Sequence, residues 1–315
     1  MDDNKLFNPS QHGFRSGHSC LSQLLNHYDK VLQLLEQGLN VDVIYLDFSK
    51  AFDKLDFNNV LTKLKNIGIN GKLGKWIYSF LTGRYQTVLV NGSKSNETRV
   101  LSGVPQGSVL GPLLFLILIG DIDKAISHSF LSSFTDDTRI ATGIDSIEDA
   151  QNLQDDLETL YHWSSDNNMQ FNDVKFELLR YGKNIHLKNE TTYYSNTGTA
   201  IQEKQIVKDL GVIMSNTANF SENINNITTK TSQLSSWILR TFKVRNPEVM
   251  LTLWKSLVIP RFDYCSQLYN PSKVSQIQQL EMVQRSFLRK IDGMNGLDYW
   301  KQLQALKINS LERRR

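Results

Sequence analysis

The chain has 315 residues, 40% of them hydrophobic, with 35 Lys/Arg against 32 Asp/Glu. That composition excludes wholesale disorder, and the length suits two or three packed units. The first twenty residues hold no hydrophobic signal core. The longest apolar stretch, 109–119, is too short to span a bilayer and contains Gly111 and Pro112. Cys20 and Cys265 supply neither a disulfide framework nor a zinc pattern. A soluble, intracellular protein without membrane contact is therefore expected. Charge is unevenly spread: residues 239–315 carry 14 Lys/Arg against 6 Asp/Glu, and the rest carry 21 against 26. A basic end beside an acidic remainder fits a protein that grips phosphates at one end and collects cations at the other, although a basic C-terminus also arises without such a role.

In chain order, Ser19 caps a helix running to Gln37, with Leu21, Leu24, Leu25, Tyr28, Val31, Leu32 and Leu35 on one stripe and Gly38 as the stop. An apolar strand follows over 41–48. Val60, Leu61, Leu64 and Ile67 define one face of a helix over 57–67, and 76–81 belongs to another. Alternation over 85–90, the Asn91-Gly92 turn and the segment 98–101 predict a β-hairpin. The Gly/Pro-rich loop 102–112 leads into a buried helix with proline in its first turn. Strands at 130–134 and 139–142 flank Asp136-Asp137. A helix over 147–166 places Asp155-Asp156 on its polar face, the ordinary setting of an Asp-Asp pair. Segments 175–181 and 205–213 read as strands. From Asn223 the period is helical, broken near Asn246-Pro247, Asn270-Pro271 and 293–296. Mixed α and β followed by all α predicts an α+β fold in two parts, 1–215 and 216–315.

Chemistry gathers at two acidic places. Val43-Ile44-Tyr45-Leu46 runs into Asp47, and an apolar strand runs into Asp136-Asp137. Acids at one edge of neighbouring strands build an oxygen-rich pocket suited to hard divalent cations, above all Mg²⁺. Two such ions clamp the attacking and leaving oxygens of a phosphoryl displacement. The plain alternative is a turn or a solvated surface. Three features weigh against it: the pair interrupts apolar sequence, a matching acid lies upstream, and the loop with Gln106 and Gly107 lies between them. Glycines there permit close backbone approach to a ligand, and the Gln106 amide both donates and accepts.

Three segments, 45–53, 103–115 and 134–138, resemble the central motifs of reverse transcriptases from non-LTR retrotransposons, the jockey-like and chicken-repeat-like LINE elements. Residues 11–19 look like the motif that precedes the first catalytic acid. Asn172 with Lys175 and Glu177 is similar to the Asn-x-x-Lys-x-Glu element. Asp209-Leu210-Gly211-Val212 resembles the primer-gripping strand. Residues 261–265 and 280–285 look like the helical thumb and the region after it. The resemblance spans almost the whole chain in the family's order. Telomerases and group II intron maturases share the palm, but the motif spacing is LINE-like.

The resemblance implies a right-hand polymerase: a palm with partial fingers over 1–215, and a helical thumb with a C-terminal extension over 216–315. It implies RNA-directed DNA synthesis with two Mg²⁺ ions, Mn²⁺ as a possible substitute, and an RNA template, a DNA primer and dNTPs as partners. Asp47, Asp136, Asp137 and the Phe48 main-chain carbonyl would hold metal. Lys175 would neutralise or protonate the departing pyrophosphate. Phe52 would be the steric gate against a 2′-hydroxyl, Gln106 and Gly107 would rest against the nascent pair, Arg15 would touch template or triphosphate, and Gly211 would belong to the primer grip. The residues alone give plainer readings: Phe52 as core, Lys175 and Arg15 as solvated surface charges. Departures are Thr135 where the family mostly has Ala, Phe176 where a small polar residue is common, and only ten residues ahead of Gln11. These imply a fragment lacking the N-terminal finger motifs and the endonuclease. Two functions follow: an active polymerase domain in the nucleus, or a truncated remnant that only binds nucleic acid.

Overall fold

A computed structural model describes residues 7–314; the first six residues of the polar leader and Arg315, last of the terminal arginines, lie outside the described residues. The chain divides into two compact units, Met1–Gln205 and Ile206–Arg315.

In the first unit, α1 (Cys20–Glu36) starts where the sequence places it. The Ser19 side chain accepts from Ser22 N, and the Ser22 side chain accepts from Ser19 N. Its buried face differs from the expected stripe. Leu25 and Leu32 are exposed, whereas Gln23 and His27 are buried with Leu24 and Val31. The central strand β1 (Asn40–Leu46) follows, then α2 (Phe57–Asn66) and α3 (Gly71–Leu81). The expected hairpin forms in two short tiers. β2 (Tyr85–Gln86), β3 (Leu89–Val90), β4 (Ser93–Lys94) and β5 (Thr98–Arg99) pair as β3–β4 about Asn91-Gly92 and as β2–β5. Asn91 and Gly92 both take positive φ, as a tight two-residue turn requires.

The buried helix α4 (Leu110–Leu118) precedes β6 (Phe130–Phe134), β7 (Asp137–Ile144), α5 (Ile147–Asp166), β8 (Glu177–Tyr181), α6 (Ile185–Glu190) and β9 (Gln202–Lys204). One five-stranded sheet has the order β6-β7-β1-β8-β9. β1 lies between two antiparallel partners, with Leu46 opposite Thr138 on one side and Tyr45 opposite Glu177 on the other. Both its faces are covered, which is why 41–46 reads as a nearly continuous apolar run rather than an alternation.

The second unit opens with β10 (Ile206–Asp209) and β11 (Val212–Ser215), an antiparallel hairpin that packs on α7 (Ser221–Thr241). The sequence reads 205–213 as one strand. Leu210 and Gly211, with φ of 43° and 86°, instead fold it back on itself. By its contacts the hairpin groups with the second unit, Ile206–Arg315. α8 (Pro247–Leu253) begins at an Asn246 cap with proline in its first turn. A π-helical segment, Trp254–Val258, joins it to α9 (Ile259–Asp263). α10 (Ser266–Tyr269), α11 (Val274–Leu288), α12 (Tyr299–Leu306) and α13 (Leu311–Arg314) complete the unit. Its core centres on Trp254, whose ring lies 4.7 Å from that of Phe287. Among the described residues no helix is long and apolar enough to cross a membrane.

The Asp155-Asp156 pair divides in two. Asp155 is solvated, as expected. Asp156 is 2% exposed and accepts from Ser127 N, His128 N, Ser129 N and Ser129 Oγ at 2.5–3.0 Å. It ties α5 to the chain entering β6. Helical periodicity cannot reveal this, because the partners lie 27–29 residues away.

His27 is fully buried between α1 and the sheet, and burial, then Arg139 and Lys30, hold its pKa well below the usual value. His12 is pushed down to about 4, first by burial and then by His18, Arg15 and Arg139. The unfolded chain therefore binds protons that the folded chain refuses, so stability falls as pH drops below about 6.5. His27 alone contributes a slope approaching about 1.4 kcal/mol per pH unit. Asp42 and Asp136 offset part of this, because burial raises both of their pKa values. Urea midpoints between pH 7 and 5 should fall, and the acid limb should flatten in His27→Gln.

Candidate active site

The sheet register assembles the site. β1 runs antiparallel to β7, so the exit of β1 meets the entrance of β7. Asp47 directly follows Leu46, whose partner is Thr138, and the two-residue turn Thr135-Asp136 precedes β7. β8 also runs antiparallel to β1, so its entrance reaches the same edge; Lys175 lies two residues before Glu177, the partner of Tyr45. Three segments far apart in sequence thus arrive together. The Lys175 Nζ sits 3.0 Å from Asp47 Oδ2. With Lys175 63% and Asp47 32% exposed, the pair adds at most about 1 kcal/mol to stability, so its placement matters more than its strength.

Asp136 is half-buried, and its pKa is raised, first by desolvation and then by the like charge of Asp47; Lys175 and a backbone hydrogen bond act in the opposite sense. Two carboxylates in one field are a standing demand for positive charge. Among the described residues no group of three or more His, Cys, Asp or Glu side chains is placed to hold a metal ion. Asp137 is the first residue of β7, exposed, and directly follows Asp136 of the turn. Asp47 and Asp136 stand near enough that the charge of Asp47 adds to the burial-driven rise of the Asp136 pKa.

That pair fits a divalent cation in donor chemistry: both oxygens are hard, and burial penalises leaving them without a counter-charge. A main-chain donor lies beside them. Phe48 bridges Phe171 through bonds made by its neighbours, with Asn172 N donating to Asp47 O and Ser49 N to Gln170 O, each at 2.8 Å. The carbonyl of Phe48 itself takes no part in that bridge. Lys175 currently supplies the positive charge at Asp47.

The Gly/Pro loop docks on the turn after Asp47. Val104 N donates to Phe52 O, Gly103 N to Leu55 O and Ser102 Oγ to Asp53 O, at 2.8–3.0 Å. A Cβ on Gly103 would lie 2.6 Å from Asp53 O, so only glycine permits this approach. Gln106 Nε2 donates to Asp53 Oδ1 at 3.0 Å. Gly107 is exposed, with φ of 78°. Phe52 is half-buried, stacked on Phe115 at 4.6 Å and edge-on to Phe14 at 6.3 Å. One face of the Phe52 ring thus packs on the core while part of the ring stays open. Beside this loop lies a cavity of about 820 Å³ lined by Lys50, Asp53, Arg84, Arg99 and Gln106.

Arg15 Nη1 donates to the carbonyls of Asn8 and Gln11 at 2.8 and 3.0 Å. Gly211 lies in the second unit, where Tyr264 Oη donates to Leu210 O at 2.6 Å and the Tyr264 ring lies 3.3 Å from where a Gly211 Cβ would stand. Phe176, noted as unusual, is buried against Phe171 and Tyr161. Sequence reasoning gave Asp53 no role, although its spacing from the Gly/Pro loop carries no signal that could have supplied one.

Similarity to known proteins is found in fold and in sequence. The fold is similar to a solved apo telomerase from Candida tropicalis, with a TM-score of 0.50 and 12% identity over 94% of this chain and 50% of that one. By sequence, the chain belongs to the reverse transcriptase (RNA-dependent DNA polymerase) family, whose model matches residues 1–214. The family generally uses divalent metal ions. The chain is 28% identical over 307 residues to the RNA-directed DNA polymerase from the mobile element jockey of Drosophila melanogaster, covering 93% of this chain and 33% of that protein. It is 26% identical over 294 residues to a probable RNA-directed DNA polymerase from transposon X-element of the same fly, covering 90% and 32%. The chain spans about a third of the length of these relatives.

Proposed function

We propose that the chain is the polymerising part of a non-LTR retrotransposon enzyme, adding dNTPs to a DNA primer on an RNA template. One observation carries this reading: Lys175 Nζ lies 3.0 Å from Asp47 at the end of β1, and Asp136 stands in the turn entering the neighbouring strand β7, in a reverse transcriptase family chain. Asp47, Asp136 and the Phe48 carbonyl would hold two Mg²⁺ ions, with Mn²⁺ as a substitute and Asp137 adding charge nearby. When bound, such ions acidify the primer 3′-hydroxyl and neutralise the pyrophosphate that leaves. The hydroxyl oxygen bonds to the α-phosphorus as the bond to the β-phosphate oxygen breaks.

The chain's own residues supply the rest. Lys175, released from Asp47 by a cation, would neutralise or protonate the departing pyrophosphate. The open part of Phe52 would crowd a 2′-hydroxyl and so favour deoxynucleotides. Gln106, held by Asp53, and Gly107 would pack against the nascent pair. The first unit would then be palm with partial fingers, the helices of the second a thumb, and the Gly211 turn part of the primer grip. Arg15 serves this reading indirectly, by fixing the loop before α1. In a host cell the chain would act in the nucleus.

The test is extension of labelled oligo(dT) on poly(rA) with dTTP and Mg²⁺. Addition that needs both template and cation supports the reading. Salt-sensitive binding of the template–primer without any addition leaves the chain as a nucleic-acid-binding remnant.

A further inference from the structure

The turn that carries Asp136 should not hold its shape unaided. Phe134 pairs with Asp137, so Thr135 and Asp136 are the two turn residues. Thr135 occupies the first of them with φ of 62°. Glycine suits that position, and a β-branched residue there is strained. Thr135 is also buried, at 8% exposure, so its backbone groups need partners.

Gln11 supplies them. Its Oε1 accepts from Thr135 N at 2.7 Å and its Nε2 donates to Thr135 O at 2.9 Å. The same Oε1 accepts from Gly13 N at 2.7 Å. The segment bearing Gln11 is itself fixed beside β6: His12 N donates to Ser133 O and Ser133 N to Ser10 O, each at 3.0 Å. Arg15 holds the Gln11 carbonyl from the other side. Gly13 completes the device, because a Cβ there would lie 2.4 Å from both Thr135 N and Thr135 Oγ1. The Gln-x-Gly spacing thus has a physical reason: glutamine reads the turn's backbone, and glycine lets the chain pass against it.

We propose that Gln11 is a positioning residue for Asp136. By clamping the main chain of Thr135 in its left-handed conformation, it fixes the direction from which the next residue presents its carboxylate to Asp47. An acid displaced by about 1 Å can cost roughly 100-fold in rate. This inference rests on the polymerase reading of the site, but the clamp itself does not.

Three full-length variants test it by two readouts: Gln11→Ala, Gln11→Met of similar volume, and Gln11→Glu, which keeps both accepted bonds. By hydrogen exchange, the Thr135 amide should lose protection in Ala and Met, while Ile44 and Ile140 in the central ladder keep theirs; Gln11→Glu, which can accept from Thr135 N but when ionised cannot donate to Thr135 O, should leave Thr135 protected to a degree between Met and the wild type. In primer extension, Ala and Met should lower kcat at least about tenfold with KM for dTTP within about twofold. A Met variant with wild-type kcat would show that Gln11 merely fills space. Unchanged Thr135 exchange in Ala and Met would overturn the clamp. If the wild type extends nothing, the polymerase reading fails, and the exchange result alone decides whether Gln11 governs the turn. Should Ala or Met unfold, seen as lost protection at Ile44, a folded Glu variant with full wild-type protection at Thr135 would also overturn the two-bond clamp.

Discussion

Chains carrying Asp47→Ala or Asp136→Ala are expected to bind template–primer as tightly as the wild type while adding dNTPs at least about 10³-fold more slowly. The two acids sit at a strand end and in a turn, half-buried, so neither anchors the core. Removing either also relieves the repulsion that raises the Asp136 pKa. Stability should therefore hold or rise slightly while activity collapses, the pattern of a site whose charge is kept for chemistry. Initial rates at saturating template–primer, anisotropy for binding and urea unfolding separate the three quantities. A variant that loses activity only in step with stability would remove the pair from the reaction. Equal extension by Asp136→Ala and the wild type would mean that the chemistry lies elsewhere.

The largest stability effect is expected at Arg180, which faces Asp42 across β8 and β1. Both are about 2% exposed. The Arg180 Nε lies 3.4 Å from Asp42 Oδ2, Nη2 donates to Thr191 O at 2.9 Å, and Nη1 donates to Lys188 O. Tyr193 Oη donates to the same Asp42 oxygen at 2.7 Å, and the guanidinium lies 5.3 Å from the Tyr193 ring. Arg180→Ala leaves a buried carboxylate without its cation and two carbonyls without donors. A loss of about 3–5 kcal/mol is expected. Burial already raises the Asp42 pKa, with Arg180 as the main opposing influence. Without Arg180 the acid should protonate at still higher pH. A raised folded pKa stabilises below it and is lost above, so the variant should be relatively less damaged in mild acid than at neutral pH. Urea unfolding at several pH values checks both statements. The pair variant Arg180→Met with Asp42→Leu should recover much of the loss, because well-packed apolar groups often replace a buried ion pair at little cost.

Neither network is visible in the same way from sequence. The capped start of α1, the Asn91-Gly92 turn, the proline entries to α4 and α8, and the apolar run of β1 were all legible, because each rests on neighbours a few positions apart. The stripe of α1 was only partly legible. Its leucines fit a helical period, but the sheet buries Gln23 and His27 in preference to Leu25 and Leu32. The 205–213 strand failed at Leu210-Gly211, where the only turn cue was one glycine. Asp156 read as solvent because its four donors come from a distant loop.

The sequence by itself determined the chemistry available: hard oxygens at Asp47 and Asp136, a lysine at 175, a close-packing glycine loop, and the ordered motifs of a polymerase family. Those are properties of residue type and local spacing. Tertiary structure alone decided which of them meet. The antiparallel register of β7 and β8 on β1 brings positions 47, 136 and 175 to one edge. It also turned Gln11 and Gly13 from a motif into a clamp, since contacts across 124 residues depend on register, which no local pattern encodes.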